Sequence, residues 1–381
     1  MATQHKKNVV IVGGGIVGSV LAYFLSLSDD GEKVTVIERD FPALTARRSE
    51  MLTRLAVDSV GEYSRVPGGF DQVGGLEVAA STAGVENLKW WLKTARERDI
   101  KAELISAQKA AEIAQGLVKG DNVSALYFPA DGTASPAAIR GYFQSQARTR
   151  GVEFLEGDVT QVCRGSGCVK GVMTSSGFIH AERVVLATGI WARSLCDFEI
   201  PIPVIPVAHP YMYGEYHEPK PYKPPFVRYP EHHVYVRDHG PYFGLGSYDH
   251  KLRAEKPNET AVGNWVEEFD TTFHRALRLI PEKTTLAPRE KFNGIFSMMP
   301  DNMPLVGKIP GTEGLYMAAA VWITHAVCSA RFLTEMIKGE PLDPVVKRAL
   351  DPSRFGGCEM ERLERESLHC YNSIYSTHEA I

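Results

Sequence analysis

The stretch from Asn8 to Asp40 constrains the fold of this chain more than any other. A β-branched run, Val9-Val10-Ile11-Val12, leads into Gly13-Gly14-Gly15-Ile16-Val17-Gly18 and an apolar helical stretch from Ser19 to Leu27. Polar residues Ser28 to Gly31 break that stretch, and a second β-branched run from Lys33 to Ile37 closes on Glu38, twenty residues after Gly18. Strand, glycine turn, helix, strand and acid, in that order and spacing, predict a dinucleotide site. Gly13 permits the tight turn, Gly15 lets backbone amides approach a pyrophosphate at the positive end of the helix, and Gly18 allows close packing of helix on strand. Ile16 and Val17 belong to the same cofactor-binding turn. Glu38 would accept hydrogen bonds from an adenosine ribose, with Arg39 beside it, and a glutamate there disfavours a 2′-phosphate, so NADP fits least well. Residues 9 to 28 are uncharged and long enough to span a bilayer, but three consecutive glycines and the strand that follows argue against a membrane helix. A glycine turn that binds nothing would not need the terminal acid.

With 381 residues and 44% apolar content, the chain can bury more than one core, so two lobes are expected. A net charge of -4 with interspersed signs gives no basic footprint for nucleic acid and implies no lipid surface. Met-Ala-Thr-Gln-His-Lys-Lys enters the first strand directly, leaving no room for a leader peptide, and predicts a cytoplasmic location. The cysteines at 163, 168, 196, 328, 358 and 370 lack C-x-x-C or His spacing, which favours reduced thiols and no metal site.

Further along, the pattern predicts helices at Arg47 to Tyr63, Val85 to Arg98, Ala107 to Ala114 and Pro136 to Arg150, with strands near Leu76, Leu126, Glu153, Val159 and Gly171. Arg183-Val184-Val185-Leu186-Ala187-Thr188-Gly189 reads as a buried strand entering a glycine turn and another helix, a return to the nucleotide-binding sheet after an excursion. The domains are therefore expected to interleave: 1–62, 132–198 and 288–348 bind the cofactor, and 63–131 and 199–287 form a substrate domain. A hairpin of Val234 to Arg237 with Tyr242 to Leu245, a helix from Val262 to Leu279, a last strand from Leu315 to Trp322, a last helix from Ala326 to Gly339 and a tail at 349–381 complete the expectation. The fold class is α/β, α+β overall: a Rossmann-like domain interleaved with a mixed, largely antiparallel sheet plus helices.

Asp71 to Ala79, Phe128 to Gly132, Tyr235 to Gly240, Gly246-Ser247-Tyr248, Phe292 to Ser297 and Val321-Trp322-Ile323-Thr324-His325, together with the opening motif, resemble the D-amino acid oxidase superfamily of flavoproteins. The resemblance is strongest to the flavin domain of dimethylglycine oxidase and dehydrogenase and of sarcosine dehydrogenase. It implies FAD as cofactor and a secondary or tertiary amine of amino-acid type as substrate, oxidised to an iminium that hydrolyses to aldehyde plus amine. Reoxidation would fall to oxygen or an electron-transfer protein. It also implies that His209 and Tyr235 position the amine, and that Val159, Thr188, Gly189, Trp191, Trp322, Thr324 and His325 lie against the cofactor. His325 could equally cap a helix.

Three departures matter. The segment from Asp40 to Phe70 is about a dozen residues shorter than in the family and lacks the histidine that carries the covalent flavin bond, which implies non-covalent FAD. Cys328 stands where relatives place glycine. No folate-binding domain follows in this chain. Oxidation of a cyclic or specialised amine, or a catalytically impaired FAD-binding relative, are the alternatives. Arg54, Arg228 and Arg237 are candidate carboxylate anchors.

Overall fold

The computed structural model describes residues 7–27, 32–39, 50–195, 197–218, 220–257, 261–282, 284 and 286–374. The opening motif folds as strand Asn8–Val12, helix Ile16–Leu25 and strand Lys33–Glu38. The helix starts three residues earlier than expected, directly after Gly15, because the turn needs only the first three glycines and Ile16 and Val17 already bury their side chains. The polar break at 28–31, Asp40 and the start of the helix expected from Arg47 lie outside the described residues. The described part of that helix is Glu50–Tyr63.

Strand Asn8–Val12 pairs in parallel with Lys33–Glu38 on one side and Arg183–Leu186 on the other. Glu153–Glu156 and Leu315–Ala319 extend the sheet in parallel, and Leu305–Lys308 closes it antiparallel, giving six strands among the described residues. Val9 and Ile11 face a layer of helices, Ile16–Leu25, Pro136–Arg148 and Ala326–Lys338. Val10 and Val12 face a three-stranded antiparallel sheet, Val159–Gly165, Cys168–Thr174 and Gly177–His180. Covered on both faces, the strands must be apolar throughout, which is why they read as unbroken runs. Val20 and Leu21, fully buried, contribute about 1.5–3 kcal/mol each.

Among the described residues, nine strands build the second sheet, in the order Val262–Gly263, Pro288–Met298, Ile205–Tyr216, Tyr242–Ser247, Val234–Asp238, Phe226–Tyr229, Gly75–Ala79, Ser124–Phe128 and Glu103–Ser106. Its two faces separate by strand alternation. Ala208, Met212, Val234, Val236, Phe243 and Leu245 pack against helices Ala107–Ala114 and Glu267–Leu277. Ile205, Val207 and Phe296 lie on the opposite face, in a cluster with Trp322 from the loop after Leu315–Ala319. That cluster joins the two sheets.

Four expectations are corrected. The turn at Gly189 is followed by a three-residue 3-10 turn, Gly189–Trp191, rather than a helix. The helix read from Val262 begins at Glu267, because Val262 and Gly263 pair with the strand Pro288–Met298. Ala326–Lys338 is not the last helix: Pro344–Leu350 and Met360–Asn372 follow. Over its described residues, 349–374, the expected tail is packed, since the helix Met360–Asn372 buries Leu363, Ser367 and Tyr371. No helix among the described residues is long and apolar enough to cross a membrane.

Candidate active site

At the carboxyl end of the parallel strands the glycines separate into two kinds. Gly13 has φ +106°, and a Cβ there would meet the Ala187 carbonyl, while a Cβ on Gly18 would overlap the Gly13 carbonyl oxygen. Gly15 differs. Its backbone is extended, at φ -62° and ψ -170°, and its Cβ direction opens on empty space. Helix Ile16–Leu25 has neither a side-chain cap nor an acid in its first turn, so its positive end is free to meet phosphate. The Glu38 carboxylate accepts hydrogen bonds from the backbone N–H groups of Gly14 and Arg39, which holds the acid against the glycine turn.

The Thr188 amide approaches Gly13, and the Thr188 Oγ1 is buried with no hydrogen-bond partner among the described residues. A buried hydroxyl without a partner is costly, and a ligand atom would satisfy it. Gly189 follows with φ +53°. Arg39 lies over the Trp191 ring, 5.0 Å from its centroid, and 3.7 Å from Asp158, next to buried Val159. The open volume above Gly15, the uncapped helix, the held acid and the orphaned hydroxyl fit a dinucleotide of the FAD kind.

Trp322, Thr324 and His325 form the turn before helix Ala326–Lys338. The Trp322 N–H donates to His325 Nε2 at 3.1 Å, and Thr324 Oγ1 lies 3.2 Å from His325 Nδ1. The fully buried His325 ring thus closes its own turn, and burial lowers its pKa to about 3, keeping it neutral. These bonds close the short turn Ile323–His325, while the helix Ala326–Lys338 takes no side-chain cap from His325. The Trp322 indole N–H donates to the Ser297 carbonyl at 3.0 Å, and its ring lies 6.1 Å from Phe296. The Cys328 thiol is directed at Asp58, and burial and that carboxylate push its pKa up to about 12, so it is held as a thiol.

Phe296 leads to the second half of the site. On its strand pair, His209 lies opposite Gly294 and Tyr211 opposite Phe292. His209 stacks on Phe296 at 4.1 Å between centroids, and its Nε2 is 2.7 Å from the Tyr235 hydroxyl. Gly246 faces both Tyr211 and Tyr235 across the sheet, and a Cβ there would overlap the Tyr235 ring; one on Gly244 would overlap the Tyr211 hydroxyl. Glycine at both positions lets the phenols lie against the sheet. His209 is buried, and desolvation holds its pKa well below the ordinary histidine value, so the imidazole is neutral. The sequence pairing of His209 with Tyr235 is therefore a direct contact.

Sequence reasoning missed the third member of this group. The Tyr371 hydroxyl, from helix Met360–Asn372, lies 2.7 Å from His209 Nδ1 and 2.9 Å from His250 Nε2. A fully buried tyrosine at i+4 from Ser367 and i+8 from Leu363 was the available signal, since a buried phenol needs a polar partner.

The three candidate arginines also separate. Arg54 pairs with Asp343 at 3.0 Å. Arg228 is committed to the buried carboxylate of Glu77. Arg237, two residues from Tyr235 on the same strand face, makes no hydrogen bond or ion pair among the described residues, and its Nε is buried without a partner. It acts electrostatically on Tyr211 and His239. Burial first, and Arg237 second, lower the His239 pKa to about 3.

A nucleotide turn at the end of the parallel strands and an aromatic face on a mixed second sheet, joined through the Trp322–Phe296 cluster, fit a flavin-dependent oxidoreductase. Residues 8–336 match the family model described as FAD dependent oxidoreductase. Human mitochondrial dimethylglycine dehydrogenase is 26% identical over 93% of this chain and 45% of its own length. The 4-methylaminobutanoate oxidase (formaldehyde-forming) of Paenarthrobacter nicotinovorans is 24% identical over 99% of this chain and 50% of its own. The chain thus spans about half the length of these curated relatives. The L-proline dehydrogenase of P. horikoshii superposes with a TM-score of 0.79 at 25% identity, covering 92% of this chain and 98% of the other. The chain belongs to the FAD-dependent oxidoreductase family of D-amino acid oxidase type. Its family is one of oxidoreductases whose cofactor is FAD.

The two glycine environments give a paired test. Gly15→Leu should leave the melting temperature of the apoprotein near wild type yet yield colourless protein, because the side chain fills open space needed by phosphate. Gly18→Leu should instead lower stability by at least the ~1–3 kcal/mol of overpacking, read by urea denaturation. Flavin retained in the Gly15 variant would contradict the placement.

Proposed function

We propose that this enzyme oxidises the carbon–nitrogen bond of a secondary or tertiary amine of amino-acid type, of the dimethylglycine and sarcosine kind. The resulting iminium would be hydrolysed to an aldehyde and a shorter amine. The observation that carries this reading is Arg237, a cation with no partner among the described residues on the face that bears Tyr235. A partly buried cation left unpaired is destabilising, and a substrate carboxylate would relieve it. Residues i and i+2 of a strand project from the same side about 6.5–7 Å apart, so the two side chains can converge on the carboxylate and nitrogen of one small amino acid.

Tyr211, Tyr235, Phe292 and Phe296 would exclude water and present π faces to an alkylated ammonium. His209, neutral and bonded to Tyr235, would hold that phenol toward the nitrogen. Bound FAD supplies the two-electron acceptor for the C–H bond beside nitrogen. Oxygen or an electron-transfer protein would complete the turnover. The names of both curated relatives support the reading, because dimethylglycine and 4-methylaminobutanoate each combine an N-methyl amine with a carboxylate. A cyclic secondary amine such as proline is the second reading, favoured by the structural likeness to L-proline dehydrogenase.

FAD is held without a covalent bond in this proposal. Residues 39–69 contain no histidine or cysteine. The one tyrosine among them, Tyr63, is buried with its hydroxyl donated to the Ile323 carbonyl, and desolvation raises its pKa. Acid precipitation should release all FAD to the supernatant, and flavin left in the pellet would refute this. Arg237→Met should raise the KM for sarcosine or dimethylglycine about 10–100-fold, the range of a charge-assisted hydrogen bond, and spare their methyl esters. Equal losses on acid and ester would remove Arg237 as the anchor.

A further inference from the structure

We propose that Tyr371 and His250 extend the His209–Tyr235 pair into a four-member relay that sets Tyr235 as a hydrogen-bond acceptor toward the substrate amine and carries the amine's proton away. The proposal rests on the reading of Tyr235 as the amine-facing hydroxyl. It goes further by assigning two residues outside that pair, one from the helix Met360–Asn372.

The direction of the relay follows from its fixed end. His250 Nδ1 lies 2.9 Å from the Lys251 carbonyl, which can only accept, so Nδ1 carries the proton. In the neutral ring Nε2 is then an acceptor, and the Tyr371 hydroxyl, 2.9 Å away, donates to it. A hydroxyl has one proton, so Tyr371 must accept from His209 Nδ1–H at 2.7 Å. His209 Nε2 is left as an acceptor, and Tyr235 donates to it at 2.7 Å. Each tautomer is thus assigned by the network from one backbone carbonyl. With its one proton given to His209, the Tyr235 hydroxyl can meet a substrate N–H only as an acceptor.

The proton movement balances along the same path. The substrate N–H bond breaks and a Tyr235 O–H bond forms, while the original Tyr235 proton passes to His209 Nε2. The His209 Nδ1 proton passes to Tyr371, and the Tyr371 proton to His250 Nε2. No electrons are exchanged, and the substrate is left as the neutral amine that oxidation requires. The positive charge ends on His250, whose surroundings suit it better than those of His209. Burial is the largest influence on His250 and lowers its pKa, but Glu268, Asp249 and the carbonyls of Lys251 and Ala208 offset part of it, whereas at His209 burial and His250 itself both oppose the cation. Of the other charged groups near His250, Arg275 is spent on Asp249, and Glu268 also accepts the Lys251 N–H. Tyr371 and His250 do not touch substrate; they are positioning and relay residues.

Two measurements on the FAD-loaded protein test this. Anaerobic stopped-flow bleaching by sarcosine between pH 6 and 10 should show Tyr371→Phe about 1,000-fold slower than wild type near pH 7. The deficit should shrink by about tenfold per pH unit toward the amine's own pKa, about 10 as for a lysine ammonium. His250→Gln should show the same pH-dependent deficit with flavin content intact. A deficit equal at every pH, or none in either variant, would overturn the relay. In wild type labelled with 15N-histidine, both His209 and His250 should be neutral with the proton on Nδ1. A proton on His209 Nε2 would overturn it. If no amine bleaches wild type, the functional reading fails, and the tautomers still decide the relay.

Discussion

Two absent side chains, at Gly244 and Gly246, are the constraint on which the substrate half of this protein depends. With hydrogen atoms at those positions, the rings of Tyr211 and Tyr235 rest across the central strand of the second sheet. With any larger side chain the phenols would be displaced. His209 would then lose the Tyr235 hydroxyl, and its ring nitrogens are the links between that hydroxyl and helix Met360–Asn372. The glycine pair therefore connects backbone packing to the placement of three polar groups that are distant in sequence.

Burial sets the charge state of this assembly. Desolvation holds His209, His239 and His325 neutral, because a charged imidazole costs more than a neutral one in a poorly solvated place. Arg237, two residues from Tyr235 on its strand, stays a cation, since it cannot be neutralised by losing its proton. An aromatic face with neutral imidazoles and an arginine that makes no ion pair among the described residues suits a small molecule carrying a carboxylate and an alkylated nitrogen. On the opposite side, the open space above Gly15 and the orphaned Thr188 hydroxyl suit a dinucleotide. The Trp322–Phe296 contact fixes how the two halves meet.

The cofactor half was legible in the sequence because its logic is local. Gly13, Gly15 and Gly18 each answer a need set within a few residues, and the strands Asn8–Val12 and Lys33–Glu38 are buried on both faces and so declare themselves. His209 and Tyr235 were legible through family resemblance alone, since nothing near either residue predicts their contact. Tyr371 was not legible at all: it lies 162 residues from His209, in a helix whose exposed faces are charged and whose pattern suggested a solvated tail. The helix read from Val262 failed for a related reason, because pairing with the strand Pro288–Met298 overrode the local pattern. Among the arginines, sequence could name Arg54, Arg228 and Arg237, but only the three-dimensional neighbours Asp343 and Glu77 show which two are already paired.

The central claim is that the face bearing Tyr235 and Arg237 receives the amine and carboxylate of one amino acid. A crystal structure of the FAD-loaded protein with a non-oxidisable thioether analogue of dimethylglycine, carrying sulfur in place of nitrogen, would test it most directly. The account predicts the carboxylate paired with the Arg237 guanidinium and the sulfur beside the Tyr235 hydroxyl, within about 3–4 Å at hydrogen-bonding range. A ligand whose carboxylate is held elsewhere, with Arg237 still unpaired and Tyr235 out of reach, would contradict it.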